Sequence, residues 1–107
     1  MIDEKLKELS IVIPTPPSPA GSYIPVVTTG NLAFVSGQIP MKEGKVVFEG
    51  KVPDEQSLES AREAAKICII NSLAQLKMNL GSLDKITKFV RISGFVNSNP
   101  NFIEQPR

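Results

Sequence analysis

The 107-residue chain contains no histidine, no tryptophan, one tyrosine and one cysteine. Without histidine, Ser-His-Asp and Cys-His nucleophile systems are excluded, as is any His-ligated metal site. One cysteine, Cys68, permits neither an intrachain disulfide nor a thiolate metal cluster. It lies in the apolar helical run "AAKICIINSLA", where burial raises a thiol's pKa, so an inert thiol is expected. An excess of charge is also missing: 12 Lys and Arg against 11 Asp and Glu leave a formal +1. That balance offers no footprint for nucleic acid or an anionic membrane. No apolar run approaches the roughly 20 residues that span a bilayer. The N-terminus, "MIDEKLKELS", is acidic and amphipathic, not basic and then apolar like a secretory signal. A cytoplasmic protein without a membrane partner is expected. A phosphate loop is absent too, because Gly37 and Gly44-Lys45 do not have the G-x-x-x-x-G-K-[ST] spacing.

What remains suits one domain, whose 41% hydrophobic content builds a modest core that a partner surface would help. Residues 1–22 read as an N-terminal helix and a Pro-rich connector, and residues 23–107 as the folded domain. A short helix is predicted over 3–9, with Asp3 as cap and Leu6 and Leu9 on one side. "PTPPSPAG" then carries four prolines in six residues and is neither helix nor central strand. Two loose P-x-x-P matches lie within it, Pro14-Thr15-Pro16-Pro17 and Pro16-Pro17-Ser18-Pro19, but a stiff connector accounts for them as well. From Tyr23 the pattern turns to strand. Residues 23–29 and 32–37 flank the turn Gly30-Asn31 as a hairpin. A third strand through Val46, Val47 and Phe48 follows the turn at Gly44 and ends at Gly50.

A long helix follows, capped by Asp54 or Ser57 and ending near Leu80 before Gly81. Leu58, Ala61, Ala65, Cys68, Ile69, Ser72, Leu73, Leu76 and Leu80 form one stripe, and Ile67, Ile70, Ala74 and Met78 a second. Cover on two sides is expected: a sheet on one, a second helix or subunit on the other. Residues 86–96 read as a central strand, with Ile86, Val90, Ile92 and Val96 on one face and Phe89, Arg91, Ser93 and Phe95 on the other. Arg91 is a rim charge or a functional cation. In "GNLAFVSGQIP", residues 30–40, an apolar strand runs into Ser36-Gly37 and stops at Pro40. A strand end of this kind lets a molecule approach the backbone, or lets a sheet bend.

With "PSPAGSYIPVV", "GNLAFVSGQIP" and "VRISGFVNS" in these places, the chain resembles the YjgF/RidA family, much of which carries the label endoribonuclease L-PSP. The likeness runs from the N-terminal helix to Arg107. It implies an α+β fold of the chorismate-mutase-like kind, with two helices on one face of a mixed sheet and three subunits enclosing clefts at their interfaces. It also implies hydrolysis of reactive enamines and imines, such as 2-aminoacrylate and 2-iminobutanoate, to 2-keto acids and ammonia, with no metal or organic cofactor. Tyr23 matches the family's tyrosine, and Ser36 and Gly37 match its cleft-lining "SGQ", which makes these three the substrate-binding candidates. The polar cleft position filled by asparagine in family deaminases falls on Pro100, between Asn99 and Asn101. The family's second helix, its carboxylate-binding arginine and its last strand with a water-positioning glutamate follow "QP". Arg107 and Glu104 therefore match neither role. By this resemblance the C-terminal helix and strand are missing from the 107 residues, which are expected to be inactive alone, and no catalytic residue is assigned. Two further functions stay open: a non-catalytic trimeric module that binds small metabolites, and RNA cleavage. The second is disfavoured by the absent histidine and basic stripe. For Tyr23 and Ser36, packing at an interface and at a strand end is the alternative to a catalytic part.

Overall fold

The computed structural model describes residues 2–16, 24–43 and 45–106. Tyr23, Gly44, Arg107 and the Pro-rich stretch from Pro17 onward lie outside the described residues. In chain order the elements are helix α1 (Ile2–Glu8), strands β1 (Val26–Thr29), β2 (Leu32–Val35), β3 (Met41–Lys42) and β4 (Lys45–Val46), helix α2 (Leu58–Leu80), and a 3₁₀ turn at Leu83–Lys85. The class is α+β.

Helix α2 forms where local chemistry demands it. Ser57 is extended, and its Oγ accepts the Ser60 N–H at 3.1 Å, satisfying one of the donors that a helix start leaves over. At the other end Gly81 takes φ 87°, and its N–H donates to the Lys77 carbonyl. Between them Leu73, Leu76 and Leu80 meet Val26 and Val35 of the hairpin and Leu83 of the 3₁₀ turn. Leu83, at 0% exposure, is the centre of this core. Ile2 and Leu6, one helical turn apart on α1, close it from a third side together with Ile13 and Ile86. Leu9 was expected beside Leu6; instead it is exposed, because α1 ends at Glu8 and Ser10 turns the chain at φ 57°.

The second stripe of α2 is covered unevenly. Ala74 is buried, Ile67 and Ile70 are half-buried, and Met78 is 57% exposed. Cys68 is half-buried, and its desolvation pushes the thiol above its ordinary pKa, against a smaller lowering by a backbone hydrogen bond. An unreactive thiol at neutral pH is consistent with that shift.

Strands β1 and β2 pair antiparallel from Val26↔Val35 to Thr29↔Leu32, around a two-residue turn in which Gly30 has φ 55°. A glycine at the first central position suits such a hairpin. Strands β3 and β4 pair Met41↔Val46 and Lys42↔Lys45. The third strand expected through Val46, Val47 and Phe48 is thus shorter, and the reason lies opposite it. The next partner is Pro40, whose carbonyl accepts the Val47 N–H at 2.9 Å but which has no N–H to return.

The larger correction concerns residues 86–96. No ladder forms there among the described residues. The pairing of this stretch is confined to a parallel bridge, Val52↔Ser98, just beyond it. Alternation specifies two faces but supplies no neighbour, and the hairpin stays a two-stranded sheet. The side chains meant for two covered faces stand in solvent instead, Ile92 at 65% and Phe95 at 96% exposure. Arg91 is exposed as well.

Two substitutions test this core. Leu83→Ala removes the most deeply buried side chain and is expected to cost about 2–5 kcal/mol. Ser57→Ala removes the α2 cap and is expected to cost about 1 kcal/mol. Urea unfolding followed by circular dichroism measures both, and a smaller loss for Leu83→Ala than for Ser57→Ala would contradict the packing described.

Candidate functional site

The question posed by "GNLAFVSGQIP" has a physical answer. One step beyond Val26↔Val35, Ser36 stands opposite Pro25, and its N–H donates to the Pro25 carbonyl at 2.8 Å. Pro25 has no N–H to give back, so the ladder ends there. The Ser36 carbonyl accepts the Gln38 side-chain amide at 3.3 Å instead. The strand stops because its partner is a proline, and the backbone is released as a loop at Gly37.

Gly37 is exposed, and its φ lies outside the left-handed region. A Cβ built on it meets no atom within 4 Å. Neither conformation nor packing within the described residues requires a glycine here. The contrast with Gly50 is sharp: φ there is 116°, and a Cβ would lie 2.6 Å from the Glu55 Cβ. Beyond Gly37, Ile39 and Pro40 form a tight turn in which the Met41 N–H donates to the Ile39 carbonyl at 2.7 Å. Asn71, halfway along α2, reaches this turn. Its Nδ2 donates to the Ile39 carbonyl at 3.1 Å and to the Met41 carbonyl at 2.9 Å. Sequence reading gave Asn71 no part, because a polar residue inside an apolar helix carries no sign of what it faces.

The Asn99–Asn101 region forms a second polar constellation. Val52 donates to the Asn97 carbonyl at 2.9 Å and accepts the Asn99 N–H at 3.0 Å. The Asn99 side chain donates to Asp54 Oδ1 at 3.1 Å and accepts the Asn101 N–H at 3.0 Å. Its amide is thereby engaged at both ends in shaping its own turn. Pro100 is exposed. An open concavity of about 390 Å³ lies beside this turn, lined by Pro53, Asn99, Asn101, Phe102, Ile103 and Glu104. A second, of about 440 Å³, lies between α1 and the 3₁₀ turn. Neither reaches Ser36 or Gly37, which sit on an open edge of the hairpin. Among the described residues, no three His, Cys, Asp or Glu side chains cluster to hold a metal, and no helix is long and apolar enough to cross a membrane.

Relatives bear on this geometry. "Protein TCP17" of Trypanosoma cruzi is 32% identical over 100 residues, which are 94% of this chain and 62% of that protein. The crystal structure of Atu1372, a protein of unknown function from Agrobacterium tumefaciens, matches with a TM-score of 0.86 and 42% identity over 98% of this chain and 64% of that one. A structure titled a putative endoribonuclease, from Shewanella oneidensis MR-1, matches with a TM-score of 0.70 and 26% identity over 77% of this chain and 54% of that one. The chain thus spans less than two thirds of the length of each of these relatives. The family described as "YjgF/chorismate mutase-like, putative endoribonuclease" matches residues 4–107, and with the α+β fold and the strand-end loop in place the chain belongs to that family.

Proposed function

We propose that these residues supply the strand-end wall of a small-metabolite site, completed between the subunits of a homotrimer. In this reading the protein is cytoplasmic and hydrolyses reactive enamines and imines to 2-keto acids and ammonia. The reaction needs only water: the enamine tautomerises to an imine, water adds to the imine carbon, and the carbinolamine expels ammonia as the carbonyl forms. In this reading Ser36 and Gly37 hold the substrate against the backbone, and Tyr23 and the Ser36 hydroxyl orient substrate or water. No residue described here takes the part of the family's arginine or glutamate, so this wall binds and orients.

The observation that carries the reading is Gly37 in the loop released where Pro25 ends the ladder, a glycine that conformation and packing among the described residues do not require. A backbone without a side chain at an exposed strand end is open to close approach from outside. The chain leaves surface for a neighbour to cover, whether a second subunit or the remaining length that its relatives carry. The chain exposes 8197 Å², whereas a compact monomer of its mass exposes about 5,800 Å². Its radius of gyration is 14.9 Å, against about 13 Å for a compact domain of this length. The excess of about 2,400 Å² is large enough for a subunit interface and also for further segments of the relatives' length to pack against. Phe34, Phe89, Ile92 and Phe95 are among the apolar groups left in it.

Two experiments test these points. Light scattering is expected to return three times the protomer mass, and a stable, soluble monomer would contradict the assembly. For the site, titration with 2-ketobutyrate is expected to move the amide resonances of Ser36 and Gly37 more than that of Gly94, an equally open glycine. Gly37→Ala is expected to gain about 0.4–1 kcal/mol of stability, because alanine restricts the unfolded chain. It should nevertheless weaken probe binding by about fivefold, as expected for a lost contact near 1 kcal/mol. Unchanged binding would remove the ligand from this loop, and cleavage of single-stranded RNA by the wild-type chain would favour the family's other label.

A further inference from the structure

We infer that Asn71 is a positioning residue, clamping the loop that carries Ser36 and Gly37; its bearing on ligand binding rests on the site proposed above. The loop leaves one two-stranded sheet and enters another within residues 36–41, and its backbone bonds are local. Ser36 is tied to Pro25 across the first hairpin, Met41 to Ile39 within the turn, and Val47 to Pro40 across the second hairpin. None of these three fixes the loop relative to α2. The Asn71 amide does, by giving its two N–H groups to the Ile39 and Met41 carbonyls, which lie 32 and 30 residues away in sequence. The two carbonyls flank Pro40, which cannot donate, so the clamp grips the turn where backbone bonding is weakest.

The residue type fits this work. Asparagine is a poor interior helix residue compared with alanine or leucine, and position 71 lies in the middle of α2. A carboxylate of the same shape has no N–H to offer and would face two carbonyl oxygens. Alanine would remove the contact while favouring the helix. Serine, with one hydroxyl donor, could restore at most part of it.

Amide hydrogen exchange and 2-ketobutyrate titration, run on the whole chain as wild type and as Asn71→Ala, Asn71→Asp and Asn71→Ser, test the inference. In Asn71→Ala and Asn71→Asp, exchange at Met41 and Val47 is expected to rise by about tenfold or more, as in a local opening, while Phe34 in β2 keeps its protection. Probe binding at Ser36 and Gly37 should fall by about fivefold in the same variants, with Asn71→Ser between them and wild type. Unchanged exchange at Met41 and Val47 would overturn the clamp. So would an equal rise across β1 and β2, since that marks general destabilisation. If the exchange pattern holds but the wild-type chain binds no probe, the clamp stands and the proposed site fails.

Discussion

Two missing N–H groups decide where this structure is regular and where it is not. Pro25 ends the first hairpin ladder at Ser36, and Pro40 ends the second at Val47. Each proline accepts a bond from the residue opposite and returns none. The chain between the two breaks is therefore free of both sheets, and it contains Ser36 and Gly37, the residues of the proposed site. Had residue 25 or 40 carried an N–H, the adjacent ladder could have run one pair further and claimed the loop as strand.

Releasing a loop from its sheets leaves its carbonyls to be satisfied by other means. Three side-chain bonds do so: Gln38 to the Ser36 carbonyl, and Asn71 to the carbonyls of Ile39 and Met41. Helix α2 thus has two roles on different parts of its surface. Leu73, Leu76 and Leu80 hold the hairpin and the 3₁₀ turn in one core, and Asn71 holds the loop. The rigidity of the proposed site follows from the same element that stabilises the fold.

Legibility in the sequence tracked the range of the forces involved. The ends of α2 were readable because Ser57 and Gly81 act within one turn, and the first hairpin because Gly30 sets its own turn. Strand formation over residues 86–96 was not readable, since a strand is made by its neighbour and alternation is silent about neighbours. The link from Asn71 to the loop crosses some thirty residues, so no local pattern could announce it. Ser36 and Gly37 stand out through resemblance to the family, not through local pattern. The structure describes the local geometry of both, while Tyr23 lies outside the described residues. The Asn99 amide is engaged in shaping its own turn, a use its type and position did not reveal.

The single thiol has a practical consequence. Cys68 lies three residues before Asn71 on the same helix, and its carbonyl accepts the Ser72 hydroxyl at 3.1 Å. With no other sulfhydryl in the chain, and with this thiol held above its ordinary pKa by burial, labelling needs alkaline solution, where it has one address, on the helix that grips the loop. A nitroxide attached there would broaden the resonances of nearby loop residues without any change to the loop's own sequence. The helix would then serve as a fixed reference from which movements of the strand end are measured.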